Sequence, residues 1–417
     1  MRICFIRPPH NSGYNSLDVR EESIITYAMG YLNNIKHKDY RVIDFHLDSL
    51  ATFSSILETE ADVYVISIRE TGGCIHYGLR IYNQLYKLRK NIILYGQIGR
   101  LSQFSSLPDG VRLVEHDEKH LARELELSTT GVNFQDGLTA ASYFDEIKID
   151  QARVIRRKAS IETSRGCHFK CTFCFINNGK NYPVCWQVRP VESILDDIRG
   201  YYEKNIKAIV FHDSELIGPL AENHDRIEKL FIKIANEFHD LKIMIFARAD
   251  TLAMLADIKY LIDAGLVNIF IGVESLSQSD LNRLKKNTKV DSLIKTIKYL
   301  RDSGVGLNLS FMLFNRGTSI NSLRENINAL REISKINRRM LGVPKFLFSF
   351  ESVWNTDVQT HQLGKKSYLQ WMVHKRSQPD GNRGVVFQPE FEPVAEMCRL
   401  VYYELACKIT ELNIARD

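Results

Sequence analysis

Residues 162–174 read ETSRGCHFKCTFC. Within them Cys167, Cys171 and Cys174 keep the spacing C-x3-C-x2-C. The run just upstream, 159–163 (ASIET), is of strand type, so the three thiols fall on the loop that leaves a strand. In barrels of alternating strands and helices, those loops carry the active site.

Outward from this loop the chain alternates strand-type runs with helical patterns. Downstream, strands are expected at 208–212, 242–246, 268–273, 307–313 and 346–350, with helices between them. With 159–163 they make about six β/α units, a partial barrel rather than a closed one of eight. Upstream, buried strands are expected at 2–7, 41–45, 62–68, 91–95 and 111–114, with helices at 25–34 and 77–89. That alternation implies a doubly wound parallel sheet. Residues 128–149 are polar, without a sustained period, and suggest a linker. The expected fold is therefore α/β. A Rossmann-like domain (1–128) leads through a linker (129–155) to a partial (β/α)6 barrel (156–350). A C-terminal segment (351–417), with an amphipathic helix at 393–412, closes the barrel.

Composition narrows the class. Of the 417 residues, 44% are hydrophobic and 25% charged, as in globular domains. The 55 basic and 50 acidic side chains leave a net charge of +5, too small to argue for nucleic acid or an anionic membrane. No stretch approaches the ~20 apolar residues of a membrane span. The first apolar run is shorter than the ~7–15 residues of a signal peptide, so a cytoplasmic location is expected. The eight cysteines are then reduced, and more informative as ligands or reactive groups than as disulfides.

A [4Fe–4S] cube normally takes four thiolates. One short loop here offers three, so one iron would stay open to a chelating cosubstrate. A structural zinc site or three unrelated thiols are the alternatives. Zinc prefers four ligands with paired spacing, and His168 stands too close to Cys167 to complete such a set easily.

The segment 162–174 resembles the signature of the radical S-adenosylmethionine (SAM) superfamily, in particular the branch with an N-terminal cobalamin-binding-type domain. The resemblance extends over about 170 residues. Phe211-His-Asp213-Ser-Glu215, Ala247-Arg248-Ala-Asp250 and Ile271-Gly-Val-Glu274-Ser275 are similar to successive strand-end motifs of that family. It implies that Cys167, Cys171 and Cys174 hold the cluster, that Glu215 meets the ammonium of SAM, Arg248 its carboxylate and Glu274 its ribose. Phe173 and Ser310 complete the implied cofactor-binding set. The family cleaves SAM reductively to a 5′-deoxyadenosyl radical that abstracts a substrate hydrogen. It draws its electron from a flavodoxin- or ferredoxin-type donor.

The N-terminal pattern is similar to the cobalamin-binding fold of that branch at Pro8-Pro9, 61–68 and 91–96. The fingerprint D-x-H-x-x-G is missing; the nearest string, Asp44-Phe-His46-Leu-Asp-Ser49, ends in Ser and follows the second strand. Gln97-Ile-Gly99-Arg100 and Glu115-His-Asp-Glu118 replace the family's Gly-rich loops. These departures weigh against bound cobalamin and favour a domain kept for packing or substrate binding.

No further cysteine cluster appears, so no auxiliary iron–sulfur site is expected. Cys4 reads as core, whereas Cys74 and Cys185 lie on loops or their edges. Cys398, then Cys407, are the candidates for a hydrogen-donating thiol. The favoured function is epimerisation of a ribosomally made peptide, in which a thiol returns hydrogen to the α-carbon. A cobalamin-dependent radical SAM methyltransferase acting on a small natural-product or lipid precursor is the alternative. A non-catalytic cluster or SAM sensor is the third.

Overall fold

The computed structural model describes residues 1–9, 19–68, 72–96, 110–174, 186–218, 221–255, 257–312, 319–334 and 345–348. Cys185, Cys398 and Cys407, and the helix expected at 393–412, lie outside these residues.

The strands, in chain order, are β1 (Ile3–Arg7), β2 (Val19–Arg20), β3 (Tyr40–Asp44), β4 (Val63–Ile68), β5 (Ile92–Gly96), β6 (Arg112–Glu115), β7 (Arg157–Ile161), β8 (Ser164–Arg165), β9 (Gln187–Val188), β10 (Ala208–Phe211), β11 (Lys242–Ala247), β12 (Leu266–Glu274), β13 (Gly306–Phe311) and β14 (Lys345–Phe348). The first sheet runs β3-β1-β4-β5-β6, with every neighbour parallel. The second is a curled parallel half-barrel in the order β14-β13-β12-β11-β10-β7-β2. Its strands from β7 onward are the six expected from the alternation. The seventh, two-residue β2, pairs Val19 with Arg157 and is an addition the periodicity does not show.

Two compact units divide the chain. One comprises 1–166, 179–213 and 377–382; the other comprises 167–178, 214–376 and 383–417.

In the first unit β4 (VYVISI) and β5 (IILYG) are buried along their whole length, as continuous apolar runs in a sheet covered on both faces must be. Cys4, Ile6, Tyr64, Ile66 and Leu94 meet Ile81 and Leu85 of the helix Gly72–Lys87 in one core cluster. Burying each of these isoleucine and leucine side chains contributes roughly 1.5–3 kcal/mol. Cys4 is 0% exposed, and burial pushes its thiol up to about 12.

The polar stretch 128–149 is packed despite its composition. Phe134, Leu138, Tyr143 and Phe144 are buried. A Cβ on Gly30, in the helix Ser23–Asn34, would lie 1.9 Å from the Thr139 carbonyl oxygen, so only glycine lets the two backbones approach.

A buried polar network ties this unit together. Arg189, 1% exposed, donates through Nη1 to Asp197 Oδ2 (2.8 Å), the Tyr27 hydroxyl (2.6 Å) and the Glu162 carbonyl (2.9 Å), and through Nη2 to the Ser193 carbonyl (2.9 Å). Arg165 grips Glu118 with two bonds (2.9 and 2.8 Å) and Glu162 with a third (2.7 Å). Its guanidinium carbon lies 4.0 Å from the Phe134 ring centroid. Burial would raise Glu118 and Glu162, but Arg165 outweighs it and holds both below the usual carboxylate range. At Glu21 burial prevails and pushes it up to about 7, even though Tyr201 and the Tyr143 N–H donate to it and Lys204 attracts it.

Among the described residues no helix is long and apolar enough to cross a membrane.

Candidate active site

The cysteine loop leaves β8 through Gly166, whose φ of +83° lies in the left-handed region that glycine adopts without strain. Its backbone is anchored independently of the thiols: the Thr172 N–H donates to the Leu284 carbonyl (3.0 Å), and the Cys174 N–H to that of Cys171 (3.1 Å). Cys171 is buried, while Cys167 and Cys174 are partly exposed. Burial pushes the Cys167 thiol up to about 11; the Phe169 N–H and Arg248 pull it back, while Glu215 and Cys171 push it further. Cys167 and Cys171 therefore lie within electrostatic reach of each other and of a cation. Of the charges there, Arg248 is the one that favours a thiolate and would compensate it on a cluster. Among the described residues no three of His, Cys, Asp and Glu converge on one ion-sized point. A cubane instead spreads its ligands over separate corners, so three thiols from one loop fit it.

Strand ends supply the surrounding charges. Glu215, 1% exposed, is held by internal donors. Its Oε1 accepts from the Thr251 hydroxyl (2.8 Å) and from the N–H groups of Ile217 (3.3 Å) and Gly218 (3.2 Å). Its Oε2 accepts from the Arg248 N–H (2.9 Å). Burial still raises its pKa. Arg248 follows β11. Its Nε and Nη2 fork onto Asp250 (2.9 and 2.6 Å), Nη2 also donates to the Lys286 carbonyl, and Nη1 reaches Cys171 Sγ at 3.4 Å. Its guanidinium carbon lies 3.7 Å from the centroid of the Phe169 ring.

Glu274 closes β12 at a register shift against β13, with φ +67°. The irregularity re-aims its side chain, as bulges near active sites do. Glu274 Oε1 lies 3.4 Å from Nζ of Lys286, and both residues are buried. A Cβ on Gly272 would come within 2.5 Å of that carboxylate and 3.1 Å of that ammonium, so a bare backbone makes the room for the pair. The Phe173 ring centroid is 5.9 Å from Lys286 Nζ. Ser310 pairs in register with Gly272.

The structure thus links Cys171 to Arg248, Arg248 to Glu215, and Phe173 to Glu274 through Lys286. It adds three residues given no role from the sequence, Phe169, Thr251 and Lys286, and it shows Asp250 of the motif Ala247-Arg248-Ala-Asp250 to be a partner of Arg248. Lys286 sits in the string Leu284-Lys-Lys-Asn287, which reads as a solvated turn.

Residues 161–336 match the radical SAM superfamily, and the chain carries a radical SAM domain over them. It is similar to 4′-phospho-dehydrooxetanocin synthase of Priestia megaterium, with 28% identity over 236 residues, covering 51% of this chain and 31% of that protein. The solved cobalamin-dependent radical SAM enzyme OxsB, bound to aqua-cobalamin and SAM, matches with a TM-score of 0.58 and 20% identity, over 79% of this chain and 51% of OxsB. The radical SAM methyltransferase TsrM of Kitasatospora setae, bound to cobalamin and a [4Fe–4S] cluster, matches with a TM-score of 0.60 and 13% identity. That match covers 84% of this chain and 75% of TsrM. The chain therefore spans under a third of its curated relative and about half of OxsB. The superfamily binds a [4Fe–4S] cluster and SAM, and these solved neighbours also bind cobalamin.

Proposed function

We propose that the chain is a cobalamin-dependent radical SAM methyltransferase acting on a small natural product or peptide. The supporting observation is the N-terminal five-stranded parallel sheet, which continues the likeness to cobalamin enzymes beyond the radical SAM domain to 84% of the chain. Cys167, Cys171 and Cys174 hold the cluster, which when bound supplies the electron that splits SAM. Glu274 accepts from the ribose hydroxyls, and Phe173 walls the pocket. A flavodoxin- or ferredoxin-type protein delivers the electron.

Asp44 and His46, in the string nearest the missing fingerprint, bear on how cobalamin is held. Asp44 Oδ2 accepts from Arg7 (3.0 Å) and Tyr143 (2.9 Å), and Oδ1 from the N–H groups of His46 and Leu47. This carboxylate is engaged in packing, so it would not orient a cobalt ligand. With the departures at Gln97-Ile-Gly99-Arg100 and Glu115-His-Asp-Glu118, it leaves a second reading, epimerisation of a ribosomally made peptide with Cys398 or Cys407 as hydrogen donor.

Anaerobic reconstitution with iron, sulfide and hydroxocobalamin, followed by desalting, separates the two. Methyl transfer predicts one retained cobalt for about four irons, with corrin bands beside the cluster absorbance. Four irons with no retained cobalt would leave epimerisation.

Glu274→Ala should leave iron loading intact and weaken SAM binding. Losing a bond to a charged group costs ~1.5–3 kcal/mol, so a loss of roughly 10–150-fold in affinity is expected by equilibrium dialysis. Unchanged affinity would remove Glu274 from the pocket.

A further inference from the structure

Arg248 stands at the end of a strand, where the family resemblance assigns a partner for the carboxylate of SAM. Its contacts point elsewhere. A guanidinium carries five N–H groups in a fixed fork. Here Nε and one Nη2 proton form the two-pronged grip on Asp250, and the second Nη2 proton goes to the Lys286 carbonyl. Nη1 faces Cys171 Sγ at 3.4 Å. The edge that would clasp a carboxylate is already on Asp250, and the Phe169 ring covers one face. Only the two N–H groups of Nη1 remain, and one of them is directed at a cluster ligand. Lys286, whose carbonyl accepts from Arg248, places a second buried cation 3.4 Å from Glu274.

We propose that Arg248 is a positioning residue for the cluster: Asp250 and Phe169 lock its guanidinium so that Nη1 donates to the Cys171 thiolate and raises the cluster's reduction potential. The inference rests on the reading that Cys167, Cys171 and Cys174 hold a [4Fe–4S] cluster. Its physical basis is general. Hydrogen bonds to cluster sulfurs and nearby positive charge favour the reduced, more negative form. A fixed cation also compensates the thiolate that Cys171, 6% exposed, must bury.

The test is a redox titration of the reconstituted cluster without SAM, followed by electron paramagnetic resonance, for the wild type, Arg248→Met and Arg248→Lys. Iron content and circular dichroism confirm loading and folding. Arg248→Met should move the midpoint potential negative, with Arg248→Lys, which keeps the charge but loses the fork, in between. SAM affinity should stay close to wild type in Arg248→Lys. An unmoved potential in loaded Arg248→Met overturns the proposal, and so does an affinity loss of ~10-fold or more in Arg248→Lys at unmoved potential, the signature of a direct carboxylate contact. Failure of the wild type itself to load iron would refute the three-cysteine reading instead, so the two failures are separable.

Discussion

Alanine at Cys167, Cys171 or Cys174 is expected to abolish SAM cleavage while leaving the chain folded. Each substitution takes one of three thiolates from a cluster that the chain holds by three, and two ligands on one loop do not retain a cubane. The fold should survive because the loop is anchored by main-chain bonds from Thr172 and Cys174, none of which uses a thiol. After anaerobic reconstitution, iron should fall from about four per chain towards zero, and 5′-deoxyadenosine should drop to background in chromatographic assays. The melting curve of the metal-free chain should barely move. Continued SAM cleavage by the triple alanine variant would refute the assignment of these cysteines.

Arg189→Met should produce the largest loss of stability. Arg189 and Asp197 form an ion pair with 0% side-chain exposure on both sides. Removing the cation strands a buried carboxylate, and burial already raises the Asp197 pKa with Arg189 present to oppose it. It also removes donors from the Tyr27 hydroxyl and from the Glu162 and Ser193 carbonyls. Breaking a buried pair on one side costs ~3–5 kcal/mol, more than replacing both partners with apolar residues of similar size. Urea unfolding of the metal-free chain should show that loss, and the double variant Arg189→Met/Asp197→Leu should recover part of it. A single variant within ~1 kcal/mol of wild type would mean the pair is solvated in solution.

The fold was legible where burial is two-sided. A strand such as Val63–Ile68 must be apolar at every position, and its sequence shows it. The cysteine loop was legible because its ligands are local. Packing of 128–149 was not, since Phe134, Leu138 and Tyr143 sit at irregular intervals among polar residues and form no period. Lys286 was hidden for a conformational reason. Lys285 and Asn287 both take left-handed backbone angles, φ +50° and +54°, so a string that reads as a solvated turn carries a buried lysine. The orientation of Glu274 depends on the irregularity between Gly272 and Glu274, and a strand pattern with period two gives no sign of it. Arg248 was found by motif, but its partners were not, because Asp250 and Cys171 compete for the donors assigned to SAM.

The polar network around Tyr27 and Glu21 also sets an order of events at the ribosome. The Tyr27 hydroxyl bonds to Asp197, 170 residues later, and Glu21 accepts from Tyr201, 180 residues later. Translation exposes the first partners long before the second exist, by on the order of ten to thirty seconds at ~5–20 residues per second. Over that interval the nascent N-terminal sheet carries hydrated polar groups along the helix Ser23–Asn34, and its final docking waits for the helix Val191–Glu203 to emerge.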